Sequence, residues 1–205
     1  MAELPRPTDA AVVFADVVGY SRLMATDEVG TYARIVGLYH GVLTPAAERL
    51  GGDIGELRGD GALVTFAGPA GMHRAVQWAD AAHAGAATTG TQAAPQLTLR
   101  IAIHMGEVLI TDDGVFGDAV NLTARLQEHA PPGGTVLSEA VAQALRDTLD
   151  EPLVDLGRAA DLWALLDLAA RSTEHEVAAA AHDLVARMAD TSTLSGGRPA
   201  LDVVH

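Results

Sequence analysis

The chain has 205 residues, 49% of them apolar, which suffices for one full-sized domain and a short extension but not for two domains. A formal net charge of −14 argues against nucleic acid or an anionic membrane as partner, since both select basic surfaces. Cysteine and lysine are absent, so disulfides, thiolate metal sites and cysteine nucleophiles are excluded, and any role for a cation falls to the 13 arginines. The chain opens without a basic segment leading into an apolar run, and no apolar stretch approaches the roughly 20 residues of a membrane span, which predicts a cytoplasmic protein.

AAVVFAD (10–16) is a short apolar run suited to a buried strand, followed by a glycine-containing turn and a helix start at VVGYS. Thr26, Asp27 and Glu28 supply cap and first-turn residues, and Val29, Tyr32, Ile35, Val36 and Tyr39 recur at helical spacing. Pro45 kinks or divides this helix, and Gly51-Gly52 ends it. GGDIGELRGDGALVTF (51–66) reads as two strands joined at Gly59-Asp60-Gly61, a turn that needs positive φ. A helix is predicted over 70–86, a loop over 88–96, a long strand over 97–110 and a turn over 111–118. AVNLTARLQEHA forms a helix stopped by Pro131-Pro132-Gly133-Gly134, and TVLSEAVAQALRD gives a short strand, an N-cap at Ser138 and a helix. Two short strands are predicted in PLVDLG and DLWALLDL, an Ala-rich helix from Thr173 to about Met188, and a flexible tail beyond. The order suits an α+β domain with a mostly antiparallel sheet covered by helices, assigned to residues 8–170, with 171–205 as C-terminal helix and tail.

Two carboxylates stand out. Asp16 lies where a buried strand runs out, and Asp60 lies in the hairpin turn. Either alone reads as a cap or turn residue. If the first strand pairs beside the hairpin, the two converge, as hard divalent cations carrying substrate phosphates require. Asn121 and Arg125, four apart on one helix face, form either a surface couple or a pair able to orient a ribose and neutralise a phosphoryl group.

FADVVGYSRLM, GELRGDGALVTF, LRIAIHMGEV and GVFGDAVNLTARL occur in this order, and together they resemble the catalytic domain of the class III adenylate/guanylate cyclases over residues 10 to 148. The resemblance implies a ferredoxin-like cyclase homology domain. It implies two Mg²⁺ or Mn²⁺ ions on Asp16 and Asp60, with the Val17 carbonyl as a further ligand, and a phosphate-wrapping turn at Val18, Gly19, Tyr20 and Ser21. Asn121 and Arg125 match the family's transition-state pair. In the family these come from one protomer and the metal aspartates from the other, so the resemblance implies a head-to-tail homodimer acting on a nucleoside triphosphate.

For the base, adenylate cyclases of the family carry Lys four residues before the second metal Asp and Asp seven before the Asn. Guanylate cyclases carry Glu at the first place and a small residue at the second. Glu56 and Gly114 stand there. A carboxylate accepts from guanine N1–H and the 2-amino group, whereas adenine leaves it facing a lone pair, a mismatch of about 1–3 kcal/mol. GTP is therefore the expected substrate. The alternatives are an adenylate cyclase with an atypical base pocket and a cyclase-like regulatory module without turnover. The family's late triphosphate-binding Lys has no equivalent, leaving Arg58 or Arg158 to substitute, and Arg58 is also placed to pair with Glu56.

Overall fold

The computed structural model describes residues 6–91, 94–111, 113–146, 153–155 and 201–204. β1 (Thr8–Val17) is the central strand, antiparallel to β3 (Gly61–Ala67) on one side and to β4 (Leu99–Thr111) on the other. β2 (Asp53–Arg58) pairs outside β3, and β5 (Gly114–Phe116) folds back on the end of β4. Beyond β4 come three parallel neighbours, β6 (Thr135–Ser138), β8 (Leu201–Val204) and β7 (Leu153–Asp155).

The two faces of β1 bury different partners, because successive side chains point opposite ways. Ala11, Val13, Ala15 and Val17 enter the main core with Phe66, Trp78, Ile101 and Ile103. Helices α2 (Glu28–Leu38), α3 (Thr44–Leu50), α4 (Gly71–Ala87) and α6 (Glu139–Leu145) cover that face with Ile35, Ala47, Ala82 and Val141. Ala10 and Val12 face the other way, into a smaller cluster with Leu63, Val108, Val115 and Ala119 of α5 (Asp118–Gln127). Asp16 continues this second series. The short α1 (Tyr20–Thr26) follows β1 directly, and Asp27 then caps α2 by accepting from the Gly30 amide at 2.9 Å.

Pro45 neither breaks nor sharply divides the helical run. A π-helical turn, Tyr39–Leu43, joins α2 to α3, and the Thr44 amide reaches back five residues to the Tyr39 carbonyl. The proline has no N–H to continue the i→i−4 ladder, and the wider turn immediately before it absorbs that loss.

Other expectations change. The segment read as a turn over 111–118 contains β5. Ser138 occupies the N-cap of α6, but its hydroxyl makes no capping bond and is buried without a partner. Within the stretch read as a tail, Leu201–Val204 forms β8, which pairs on both sides. The helix expected from Thr173, the strand in DLWALLDL and Arg158 lie outside the described residues. Among the described residues no helix is long and apolar enough to cross a membrane.

Trp78 ties α4 to the π turn: it is fully buried and donates its indole N–H to the Leu43 carbonyl at 3.0 Å. Trp78→Phe removes that bond and leaves a cavity where the larger ring was. It is expected to cost about 2–4 kcal/mol of stability, measured by urea denaturation.

Candidate active site

Asp16 is the penultimate residue of β1, and its partner across the ladder is Gly61, the first residue of β3. Arg58 pairs with Gly61, so the β2–β3 turn consists of Gly59 and Asp60 alone. Positive φ occurs at Gly59 (+61°), whereas Asp60 and Gly61 lack it, as in a type II′ turn that requires glycine only at its first central position. The turn is stapled to the end of β1 by the Val17 amide, which donates to the Asp60 carbonyl at 3.1 Å. Asp16 and Asp60 are thereby brought close enough that the Asp60 carboxylate bears directly on the protonation of Asp16. Burial of Asp16, then the neighbouring Asp60 carboxylate, push the Asp16 carboxyl up to about 6, with Arg100 acting in the opposite sense.

Two half-buried carboxylates side by side could hold a divalent cation. The described residues contain no cluster of three or more His, Cys, Asp or Glu side chains suited to a metal. The donor set is therefore hard and incomplete. It suits Mg²⁺ or Mn²⁺, which fill their remaining positions with water and phosphate, and it does not suit Zn²⁺.

Next to the carboxylates, Gly19 takes a left-handed conformation (φ +69°) and caps α1, its carbonyl accepting from the amides of Arg22 and Leu23. The Val18 amide is already committed to the Thr98 carbonyl at 2.8 Å, which leaves Gly19, Tyr20 and Ser21 as the amides available to an anion. Two arginines join the site that sequence reasoning did not single out. Arg22 lays its guanidinium over Gly19, its Nη2 3.4 Å from where a Cβ there would lie. Arg100 stands directly across the β1–β4 ladder from Asp16, and its Nε is buried without a hydrogen-bond partner. The register of a strand pair, invisible in a single sequence, is the signal that finds Arg100.

Glu56 owes its orientation to a bulge. Ile54 pairs with Val64, but Glu56 pairs with Leu63, so Gly55 is the extra residue in β2. Ile54 packs against the main core, whereas Leu63 belongs to the cluster under α5. Strict alternation would place Glu56 beside Ile54 on the main-core side; the bulge turns it onto the face of Asp16. Gly55 also lets the β4–β5 hairpin close in, because a Cβ there would come within 2.7 Å of Val115 Cγ2. Gly114 lies alongside, 4.0 Å from the Gly55 carbonyl by the same construction, with the exposed ring of Phe116 at 3.9 Å. The structure thus brings Glu56 and Gly114 into one neighbourhood. The side chain of Arg58 lies outside the described residues.

Asn121 and Arg125 project from the exposed side of α5, whose other side buries Ala119, Thr123, Leu126 and Gln127. A cavity of about 560 Å³ lies between α4 and the start of β4, lined by His83, Gln96 and Thr98, and shares none of the residues above except through the Thr98 backbone.

Because folding raises the Asp16 pKa from 3.8 to about 6, the metal-free fold binds that proton more tightly than the unfolded chain does. Stability therefore falls as pH rises between these values, and the cost persists above them. Asp16→Asn is expected to raise the metal-free Tm by roughly 2–4 °C at pH 8, with the gain vanishing towards pH 4, as followed by thermal denaturation.

The family model for the adenylate and guanylate cyclase catalytic domain matches residues 3–158. An adenylate cyclase of Streptomyces coelicolor is 33% identical over 147 residues, 69% of this chain and 35% of that protein. A Rhizobium meliloti relative is 33% identical over 150 residues, 72% of this chain and 25% of that protein. The chain thus matches about a third of the length of the first and a quarter of the second. Among solved structures, an adenylate/guanylate cyclase/hydrolase from Silicibacter pomeroyi gives a TM-score of 0.66 at 32% identity, over 75% of this chain and 88% of that one. The adenylyl cyclase CyaB from P. aeruginosa shares the fold, with a TM-score of 0.64 at 20% identity over 71% and 84% of the two chains. With the family model covering residues 3–158 and the fold matched at 32% identity, the chain belongs to the adenylate/guanylate cyclase catalytic-domain family and is a nucleotidyl cyclase domain.

Proposed function

We propose that the domain converts GTP to the 3′,5′-cyclic nucleotide and pyrophosphate at the interface of a head-to-tail homodimer. The observation that carries this reading is the convergence of Asp16 and Asp60 at the end of β1, imposed by the Asp16–Gly61 register and the Val17 amide on the Asp60 carbonyl. Asp16, Asp60 and the Val17 carbonyl would hold two divalent cations. Such cations, when bound, lower the pKa of the ribose 3′-hydroxyl and neutralise charge at the α-phosphate. The 3′-oxygen displaces pyrophosphate in line, a reaction in which the protein contributes chiefly position and charge.

The amides of Gly19, Tyr20 and Ser21 face the phosphates in this reading, with Arg22 and Arg100 as the cations. Arg100 takes the part that a lysine plays elsewhere in the family, since its guanidinium already stands beside Asp16 with an unused donor. Asn121 orients the ribose and Arg125 meets charge developing on the transferring phosphoryl group. Their exposure on α5 suits delivery to a partner's carboxylates across a two-fold axis, where each surface meets its copy.

The guanine preference rests on Glu56. The bulge at Gly55 presents its carboxylate towards the β5 hairpin, and Phe116 offers an aromatic face for the base. Gly114, at φ +132°, strains any side chain placed there, so recognition on that side is left to backbone and water.

Incubation of the purified protein with GTP or ATP and Mg²⁺ or Mn²⁺, with both cyclic products quantified, is expected to give mainly cyclic GMP. Asp16→Ala should abolish it, and Glu56→Lys should lower GTP turnover roughly tenfold to hundredfold and move preference towards ATP. Absence of product above the Asp16→Ala control sinks the enzymatic reading in favour of a regulatory module. Product formed chiefly from ATP sinks the Glu56 argument. Mixing inactive Asp60→Ala with inactive Arg125→Ala should restore about a quarter of wild-type activity, because half the dimers are mixed and each has one intact site. No recovery on mixing contradicts shared sites.

A further inference from the structure

Tyr39 reads in the sequence as one more apolar position on a helix, and its ring is indeed buried in the main core. Its hydroxyl does something that packing does not require. Its single proton is shared between the carbonyls of Gly59 and Gly61, both 3.1 Å away, the two residues that flank Asp60. With the Val17 amide on the Asp60 carbonyl at 3.1 Å, three consecutive carbonyls of the turn are engaged from two sides.

The turn needs such a restraint. It has only two residues between its strands, glycine stands on both sides of Asp60, and Gly59 has open space where a Cβ would be. Asp60 must be held against a second carboxylate, and once both are ionised their repulsion favours swinging the turn outwards. A phenol locked to the backbone on either side opposes that swing without touching the carboxylates' ligand oxygens through those bonds. Burial and the nearby charges of Asp60 and Asp16 raise the Tyr39 pKa well above its ordinary 10, so the hydroxyl remains a donor at neutral pH.

We propose that Tyr39 is a positioning residue that holds Asp60 in register with Asp16 and so sets the domain's affinity for divalent cations. The proposal rests on the reading of these aspartates as the metal site, and the experiment separates the two. Mn²⁺ binding to the nucleotide-free protein is measured by the electron paramagnetic resonance signal of free Mn²⁺, alongside the metal-free Tm, for wild type, Tyr39→Phe, Gly59→Ala and Asp60→Asn. Tyr39→Phe keeps the buried ring and is expected to weaken Mn²⁺ binding roughly three- to tenfold, with little change in metal-free Tm. Gly59→Ala, which strains the same turn and leaves Tyr39 intact, is expected to weaken binding in the same direction, and it serves also if Tyr39→Phe folds poorly. Asp60→Asn should abolish binding. If Asp60→Asn abolishes it while Tyr39→Phe or Gly59→Ala binds as wild type, the positioning role is wrong and the metal site stands. If Asp60→Asn binds as wild type, the metal reading falls and the positioning role falls with it.

Discussion

The rest of the site depends on two acidic side chains meeting at the end of one strand. Unit charges 4 Å apart repel by about 4 kcal/mol at an effective dielectric constant of 20, so their proximity has to be imposed by structure that does not relax. The antiparallel register Asp16↔Gly61 puts the two-residue turn against the last residues of β1, and the Val17 amide and the Tyr39 hydroxyl fasten its backbone. Asp16 responds by holding its proton to about pH 6, first because it is buried and then because Asp60 stands beside it.

That constraint explains the division of labour between the two faces of the sheet. One face is packed with apolar helices and contains the bulk of the core. The other carries a smaller apolar cluster under α5, and the same face at the strand ends holds Asp16 and Arg100. Rigidity comes from the packed face, and the candidate site lies on the less covered one. The bulge at Gly55 follows the same logic, because it moves Glu56 from the packed face to the face of Asp16 at the cost of a single unpaired residue.

Much of this was legible in the sequence. The apolar run of β1, the Asp27 cap, the hairpin at Gly59 and the helix carrying Asn121 and Arg125 all declare themselves by local patterns, and the four motifs in order identify the family. The rest was hidden for physical reasons. β5 is three residues long and is defined by its pairing to β4, so it reads as a turn. Ser138 has the composition of a cap and makes no capping bond, because whether a hydroxyl reaches an amide is a matter of rotamer and packing. Tyr39 is indistinguishable by periodicity from its neighbours Ile35 and Leu38, and only the meeting of two elements twenty residues apart shows what its hydroxyl does.

The sequence by itself determined the class of chemistry, because residue types and their spacing are conveyed by the chain directly: two aspartates, an Asn–Arg pair four apart, a Glu four before the second Asp, and no lysine or cysteine. Only the tertiary structure decided which of these groups act together. It set Arg100 across from Asp16, turned Glu56 onto the same face, spent the Val18 amide on Thr98 and placed Tyr39 behind Asp60. Each of those outcomes is a matter of strand register or of a long-range hydrogen bond, and a shift of one residue, which hardly alters a sequence pattern, reverses the face that a side chain occupies.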